Sequence, residues 1–309
     1  MKRVDAHWDT SMFLHEHPSL ECLPQAHCDY QRFRAHVDIA FLALFFDYVK
    51  IPKEQHYAAF NERLDWLLAD IRKPEAGIQL LLNASQVAED GKFALICAEG
   101  SEFLGGEATA IQRLEETFAK GLRSLGLTWN YKTDLAGGCG KGENIGITPI
   151  GEQVINRCND LGILLDAAHI CPESLTDLLR ISKKPISVTH TCCATLGPDR
   201  YPRNLDDNQL RAVAEKGGVI GITFVPAFLG GTPGIPRIVE HIRYAVNLVG
   251  IDHVGIGSDF DGTKLPADML GLQSLPLVYE QMQKSGFTQI EIEKIVGSNF
   301  CRLLQEILP

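Results

Sequence analysis

Short apolar runs alternate with longer amphipathic stretches along most of the chain. The strand-like runs fall at residues 3–7, 37–45, 93–98, 124–128, 163–167, 186–189, 219–223 and 253–257. Between them, apolar positions recur with helical spacing at 53–70 with 78–89, 107–122, 149–161, 171–181, 206–216 and 236–249. Strand-length and helix-length segments in alternation are the mark of repeated βα units and a parallel sheet. After the eighth run, helical patterns at 270–284, 288–296 and 299–307 close the chain. Eight strands, most followed by a helix, predict an α/β fold of the (β/α)8 TIM-barrel type with extra C-terminal helices. No break in composition divides the chain, so one catalytic domain over residues 1–309 is expected. Gly230-Gly231-Thr232-Pro233-Gly234 reads as a loop after the seventh strand. Ala136-Gly137-Gly138-Cys139-Gly140 reads as a flexible loop after the fourth. Both belong on the rim where such barrels carry their active sites.

Composition narrows the classes of function. A hydrophobic content of 45% is ample for a large core. The formal net charge of −10, with no block of Lys or Arg, argues against a nucleic-acid partner. No uninterrupted apolar stretch approaches the ~20 residues of a membrane span. The first residues, MKRVDAHWDT, meet charge too early for a signal sequence, so a cytoplasmic setting without membrane association is expected. Nine cysteines without Cys-x-x-Cys spacing read as small buried hydrophobes.

The chemistry lies in what ends the strands. His7 and Asp9 end the first and, two residues apart, face the same way on an extended chain. Glu99 ends the third, His169 follows the fifth, His190 the sixth and Asp259 the eighth. A lone strand-end histidine is most often a hydrogen-bonded core residue. Six ionisable residues at the same ends of five strands ask for another explanation, because such groups are costly to bury unless paired or metal-bound. A barrel brings all these ends to one rim. Three imidazoles with carboxylates suit divalent metals, zinc first, and the absence of cysteine from the set favours a catalytic over a closed structural site. Glu99, in the middle, is the natural bridge between two ions: one held by His7, Asp9 and Glu99, the other by Glu99, His169 and His190. Asp259 beside them suits proton transfer. Two ions roughly 3.5–4 Å apart hold and activate a shared water, which is the chemistry of hydrolysis. Arg203 lies in the loop after the His190 strand, before a helix that Asp206 could cap. It reads either as an anchor for a substrate carboxylate or as a solvated partner of Asp206 or Asp207. The other seven histidines are set aside as surface or supporting residues, His15 and His17 in the loop after the first strand among them.

With these residues laid out, the chain resembles the renal (membrane) dipeptidase family of zinc metallopeptidases, within the amidohydrolase-like barrels. The resemblance runs over nearly all of the chain: Asp5-Ala6-His7-Trp8-Asp9-Thr10, Ala98-Glu99-Gly100, Leu165-Asp166-Ala167-Ala168-His169, Val188-Thr189-His190-Thr191, Arg203-Asn204-Leu205-Asp206-Asp207, Gly255-Ile256-Gly257-Ser258-Asp259-Phe260-Asp261-Gly262 and Gly297-Ser298-Asn299-Phe300-Cys301-Arg302. It implies two zinc ions per chain with Glu99 bridging, proton transfer to the departing amine by Asp259, and Arg203 on the C-terminal carboxylate of a dipeptide, members also accepting a D-residue at the second position. A homodimer is allowed for. One position departs from the pattern. Where the family's renal type has Leu-Thr-His, whose His touches the substrate carbonyl, this chain reads Leu127-Thr128-Trp129. An indole N–H donates one hydrogen bond but carries no proton or positive charge, so oxyanion stabilisation would rest on zinc or on Asn130. Trp129 thus stays a substrate-binding residue while keeping two rivals open: an amidohydrolase of N-acyl amino acids or lactams, and a catalytically silent metal-binding homologue.

Overall fold

The computed structural model describes residues 2–140, 143–198 and 203–309. Eight parallel strands form a ring: β1 (Val4–Trp8), β2 (Ile39–Phe45), β3 (Phe93–Glu99), β4 (Leu122–Gly126), β5 (Leu164–Asp166), β6 (Ser187–Thr191), β7 (Val219–Ile222) and β8 (Val254–Ile256). Each strand pairs with the next, and β8 returns to β1. There the Asp9 N–H donates to the Phe260 carbonyl at 2.9 Å and the Asp259 N–H to the His7 carbonyl at 3.2 Å. Nearly every strand residue is buried, because helices cover the outside of the ring and side chains fill the inside. The expected barrel is therefore present.

Several helices begin where sequence chemistry provides a cap. Thr148 accepts from the Gly151 N–H with Pro149 in the first turn, and Asp206 accepts from the N–H groups of Asn208 and Gln209 in a reciprocal capping box. The segment 78–89, expected to be helical, is not. Gln79–Leu80 forms a two-residue strand beside β3, and Asn83 then caps a short 3₁₀ turn, Ala84–Val87. An apolar pattern of that length fits strand-turn as well as helix, and Asn83 starts the turn in its middle. The fourth strand runs two residues earlier than expected, because Thr128 has already turned to donate its hydroxyl to the His169 carbonyl.

At the far end of the strands, Phe300 packs edge-on against Phe41 with 5.7 Å between ring centroids. Glycine at 255 makes room for it, since a Cβ there would sit 2.4 Å from the Phe300 ring. Asn299 donates to the carbonyls of Ile251 and Val254 at 2.7 and 2.8 Å, fixing the last helix, Asn299–Ile307, beneath β8. The helix Gln289–Glu293 runs into it through a π turn, Lys294–Ser298. No helix among the described residues is long and apolar enough to cross a membrane.

Candidate active site

The C-terminal ends of the strands open onto a cavity of ≈ 780 Å³ whose lining includes Asp9, Glu99, His169, Arg203 and Asp259. The backbone is irregular where the site is made. Register shifts interrupt the β1–β2 ladder between Asp5 and Trp8 and the β6–β7 ladder between Val188 and Thr191, bracketing His7 and His190. Such irregularities re-aim side chains at a barrel rim. Asp9 stands past the end of β1, ahead of the helical turn Thr10–His15. Its convergence with His7 (Nε2 to Oδ2, 3.4 Å) therefore comes from a bend rather than from simple strand alternation. His169, Asp259 and Asp261 have φ of +64°, +65° and +70°. Left-handed backbone in three residues of one rim is a strain retained where geometry is over-determined.

Six of the residues read from the sequence converge. Glu99 turns one oxygen, Oε2, to His7 at 3.5 Å, and the other, Oε1, to His169 at 2.9 Å and His190 at 3.5 Å. Ligand atoms of His7, Glu99 and His190 lie within 4.8 Å of one another, as do those of His7, Asp9 and Asp259. Asp259 thus stands on the His7–Asp9 side. Gly262 permits this: a Cβ there would lie 2.1 Å from Asp9 Oδ2 and 2.3 Å from Asp259 Oδ1.

The hydrogen-bond chain behind the imidazoles fixes their tautomers. The Thr189 hydroxyl donates to Asp166 Oδ2 at 2.6 Å, so it accepts from His190 Nδ1 at 2.9 Å. His169 Nδ1 donates to Asn130 Oδ1 at 2.9 Å. With both Nδ1 atoms protonated, both Nε2 atoms present lone pairs, and they face each other at 3.0 Å with a Glu99 oxygen alongside. Three lone-pair atoms at such distances repel unless a cation lies among them. His7 Nε2 and Asp9 Oδ1 are also buried without hydrogen-bond partners. This donor set fits divalent metal in both chemistry and tautomer.

The electrostatics agree. Burial, then the Arg203 charge, lowers the His169 imidazole to about 4, and burial with the charges of His7 and Arg203 takes His190 well below its ordinary value. Both stay neutral, as metal ligands must. Burial opposes a charged His7, yet the Glu99 and Asp9 carboxylates hold its pKa well above the usual value. Removal from bulk water, then the Asp9 charge, pushes Asp259 well up. Burial would raise Glu99 as well, yet the His7 charge holds its carboxyl well below the ordinary value.

Arg203 is 5% exposed and donates to the His190 carbonyl at 2.6 Å, while its Nε is buried without a partner. Neither aspartate named as its alternative partner reaches it. Asp206 caps its helix, and Asp207 accepts from Tyr244 and Thr195. Trp129 lines the cavity. Asn130, considered from the sequence as an oxyanion donor, accepts from His169 Nδ1 with its carboxamide oxygen. The glycine-rich 136–140 segment is not loose. Gly140 N–H donates to the Asn130 carbonyl at 2.7 Å and Cys139 N–H to the His169 carbonyl at 2.8 Å, and a Cβ at Gly138 would strike the Trp129 carbonyl at 2.5 Å. Its glycines serve close packing, and the packing holds Asn130 and His169 in place. Sequence reasoning missed the supporting pair Asp166–Thr189 and the cavity residue Phe45. An aspartate inside the apolar run Leu164-Leu165-Asp166 was the available signal for the first. Cys192 and Cys193 turn their thiols away to the carbonyls of Thr223 and His241.

The family model of membrane dipeptidases (peptidase family M19) matches residues 1–308. The chain is 33% identical over 251 residues to a Klebsiella pneumoniae protein described as "uncharacterized protein in pqqA 5'region", covering 74% of this chain and 89% of that one. Its fold is similar to the crystal structure of dipeptidase AC, an M19 metallopeptidase, with a TM-score of 0.89 and 25% identity over 99% of this chain and 98% of that one. It is equally similar in fold (TM-score 0.89, 24% identity, 99% of each chain) to a Rhodobacter sphaeroides metallopeptidase bound to a phosphinate mimic of the dipeptide L-Ala-D-Ala.

Proposed function

The chain belongs to the membrane dipeptidase family of metallopeptidases, and from that premise we propose that it cleaves dipeptides with two zinc ions, one held by His7, Asp9 and Glu99, the other by Glu99, His169 and His190. The observation that carries this reading is Glu99, whose two oxygens face two different groups of lone-pair donors. When bound, zinc there would supply Lewis acidity to a water and to the scissile carbonyl. The chain's own residues do the rest. Arg203 offers its unpartnered Nε to the C-terminal carboxylate of the dipeptide. Asp259, aimed by its left-handed backbone at the His7–Asp9 side, accepts the attacking water's proton at a carboxylate oxygen and returns it to the leaving amine. Asn130 and the Thr189–Asp166 pair hold both imidazoles with Nε2 inward. Acceptance of a D-residue at the second position, a cytoplasmic setting, one catalytic domain across the chain and a homodimer as the alternative to a monomer complete the reading.

The test is a panel of L,L- and L,D-dipeptides against N-acyl amino acids, run on zinc-loaded and chelator-stripped protein. We expect dipeptide turnover that chelation abolishes and zinc restores, and two zinc ions per chain by metal analysis. Arg203→Met should chiefly raise KM for dipeptides. Turnover of N-acyl amino acids alone would shift the assignment to an amidohydrolase, and no turnover with no bound zinc would leave a silent homologue.

A further inference from the structure

We propose that Phe45, Trp129 and Tyr131 form an acceptor for the side chain of the substrate's N-terminal residue, so that the enzyme favours dipeptides beginning with an aromatic or large aliphatic residue. The inference rests on the dipeptidase reading and names its substrate class. Trp129 stands between the other two rings, 5.0 Å from Phe45 and 5.7 Å from Tyr131 by centroids, and 6.1 Å from the His169 ring. All three line the same cavity as the candidate ligands, with Met12 at its edge. Tyr131 is 48% and Met12 37% exposed, so apolar surface is held open to solvent at this mouth, which is the signature of a binding surface rather than of core.

The topology says which end of a dipeptide meets this wall. In a ring of eight strands β2 lies opposite β6, and β3 opposite β7. Phe45 ends β2 and pairs in register with Glu99 of β3, while Trp129 and Tyr131 follow β4. Arg203 follows β6, and Phe228, whose ring lies 5.6 Å from its guanidinium, follows β7. A carboxylate on Arg203 sets the amide over the metal-ligand cluster between the two sides. The N-terminal residue then extends toward β2 and β3, where Phe45 packs against Trp129, the residue that stands in place of the family pattern's imidazole. Aromatic walls of this kind recognise apolar side chains by area and by ring-on-ring contact.

The experiment measures kcat/KM for the zinc-loaded enzyme on Gly-Ala, Ala-Ala, Leu-Ala and Phe-Ala, and on the reversed series Ala-Gly to Ala-Phe. We expect the first series to rise about 10- to 100-fold from Gly to Phe, as a hydrophobic pocket discriminates, and the second to vary much less. Affinities of phosphinate analogues of Phe-Ala and Gly-Ala, measured by calorimetry, should show the same preference without turnover. Trp129→Ala should collapse the Phe-Ala to Gly-Ala ratio toward one, and Trp129→Phe should restore most of it. Tyr131→Ala, at an exposed position, reports the same ratio should the tryptophan variant fail to fold. Dipeptide hydrolysis indifferent to the first residue, or a ratio unchanged in Trp129→Ala and Tyr131→Ala, overturns this assignment and leaves the dipeptidase reading standing. Failure to cleave any dipeptide overturns both.

Discussion

At the N-terminal end of the barrel strands, the charged and amide groups that close the barrel are paired within the chain. Asp38 accepts from the backbone and guanidinium of Arg3 and from Lys92, at 2.7–3.2 Å, and Asn299 answers two carbonyls at once. At the C-terminal end, His7 Nε2, Asp9 Oδ1, Glu102 Oε2 and Arg203 Nε are all buried without partners. The same eight strands supply both ends. One end is closed by groups such as these that answer one another, with Asp5 Oδ2 near the start of β1 left unpartnered, and the other gathers several groups in wait for something from outside the chain. Unpaired buried polar atoms cost about 1–3 kcal/mol each, so the barrel's closed end must supply stability that its open end withholds. This division underlies stability at one end of such barrels and chemistry at the other.

The sharpest way to separate the ends is Glu99→Gln. It removes the charge shared by both groups of imidazoles, and we expect kcat/KM to fall by at least about 10³-fold, the loss of several kcal/mol of transition-state stabilisation, in a protein that still unfolds cooperatively. Near-normal turnover would break the comparison at its centre. The mirror experiment is Phe300→Ala. The ring is fully buried at the closed end, so its loss should cost about 3–5 kcal/mol of stability by denaturant unfolding, with kcat/KM of the folded fraction changed little. If activity fell as steeply as stability, the two ends would not be separable.

How much of this was legible follows the same divide. The strand ends could be read because a charged residue after an apolar run is conspicuous, and barrel closure guarantees that such residues meet. His7, Asp9, Glu99, His169, His190 and Asp259 do meet. What could not be read was anything that depends on backbone departing from the ideal. The bend that carries Asp9 past β1, the positive φ of His169 and Asp259, and the packed glycines at 137, 138 and 140 leave no periodic trace. Glycine-rich sequence looks flexible whether its glycines are loose or crowded. Asn130 shows the cost of that ambiguity. Its role as a hydrogen-bond acceptor for His169 exists only because the glycine segment holds it there.

Asn130 offers a graded test. Asn130→Ala leaves both ends intact but frees the His169 ring, and loss of such a supporting bond typically weakens metal binding by about 10- to 100-fold. Competition with a chromophoric chelator should show one zinc released more readily than the other. Equal affinity for both ions would detach Asn130 from the site.

The smallest effect tests whether the open end carries a stability penalty of its own. Glu102 sits in the turn after β3 with Oε2 buried and unpartnered. Burial, together with the nearby Glu99 charge, lifts its pKa to about 7 from an unfolded value of 4.5. A carboxyl raised on folding binds its proton more tightly in the native state, so the native state is favoured at low pH and loses that advantage as pH climbs from 4.5 through 7. Above that window the ionised group should weigh against folding by up to about 3 kcal/mol. Glu102→Gln should therefore stabilise the protein at pH 8 and leave it nearly unchanged at pH 4.5, measured as the pH dependence of the denaturant midpoint on chelator-stripped protein, where metal binding does not enter. A Gln variant that gains nothing at pH 8 would mean that Glu102 finds a partner when ionised, and that this part of the rim is as well paired as the barrel's closed end.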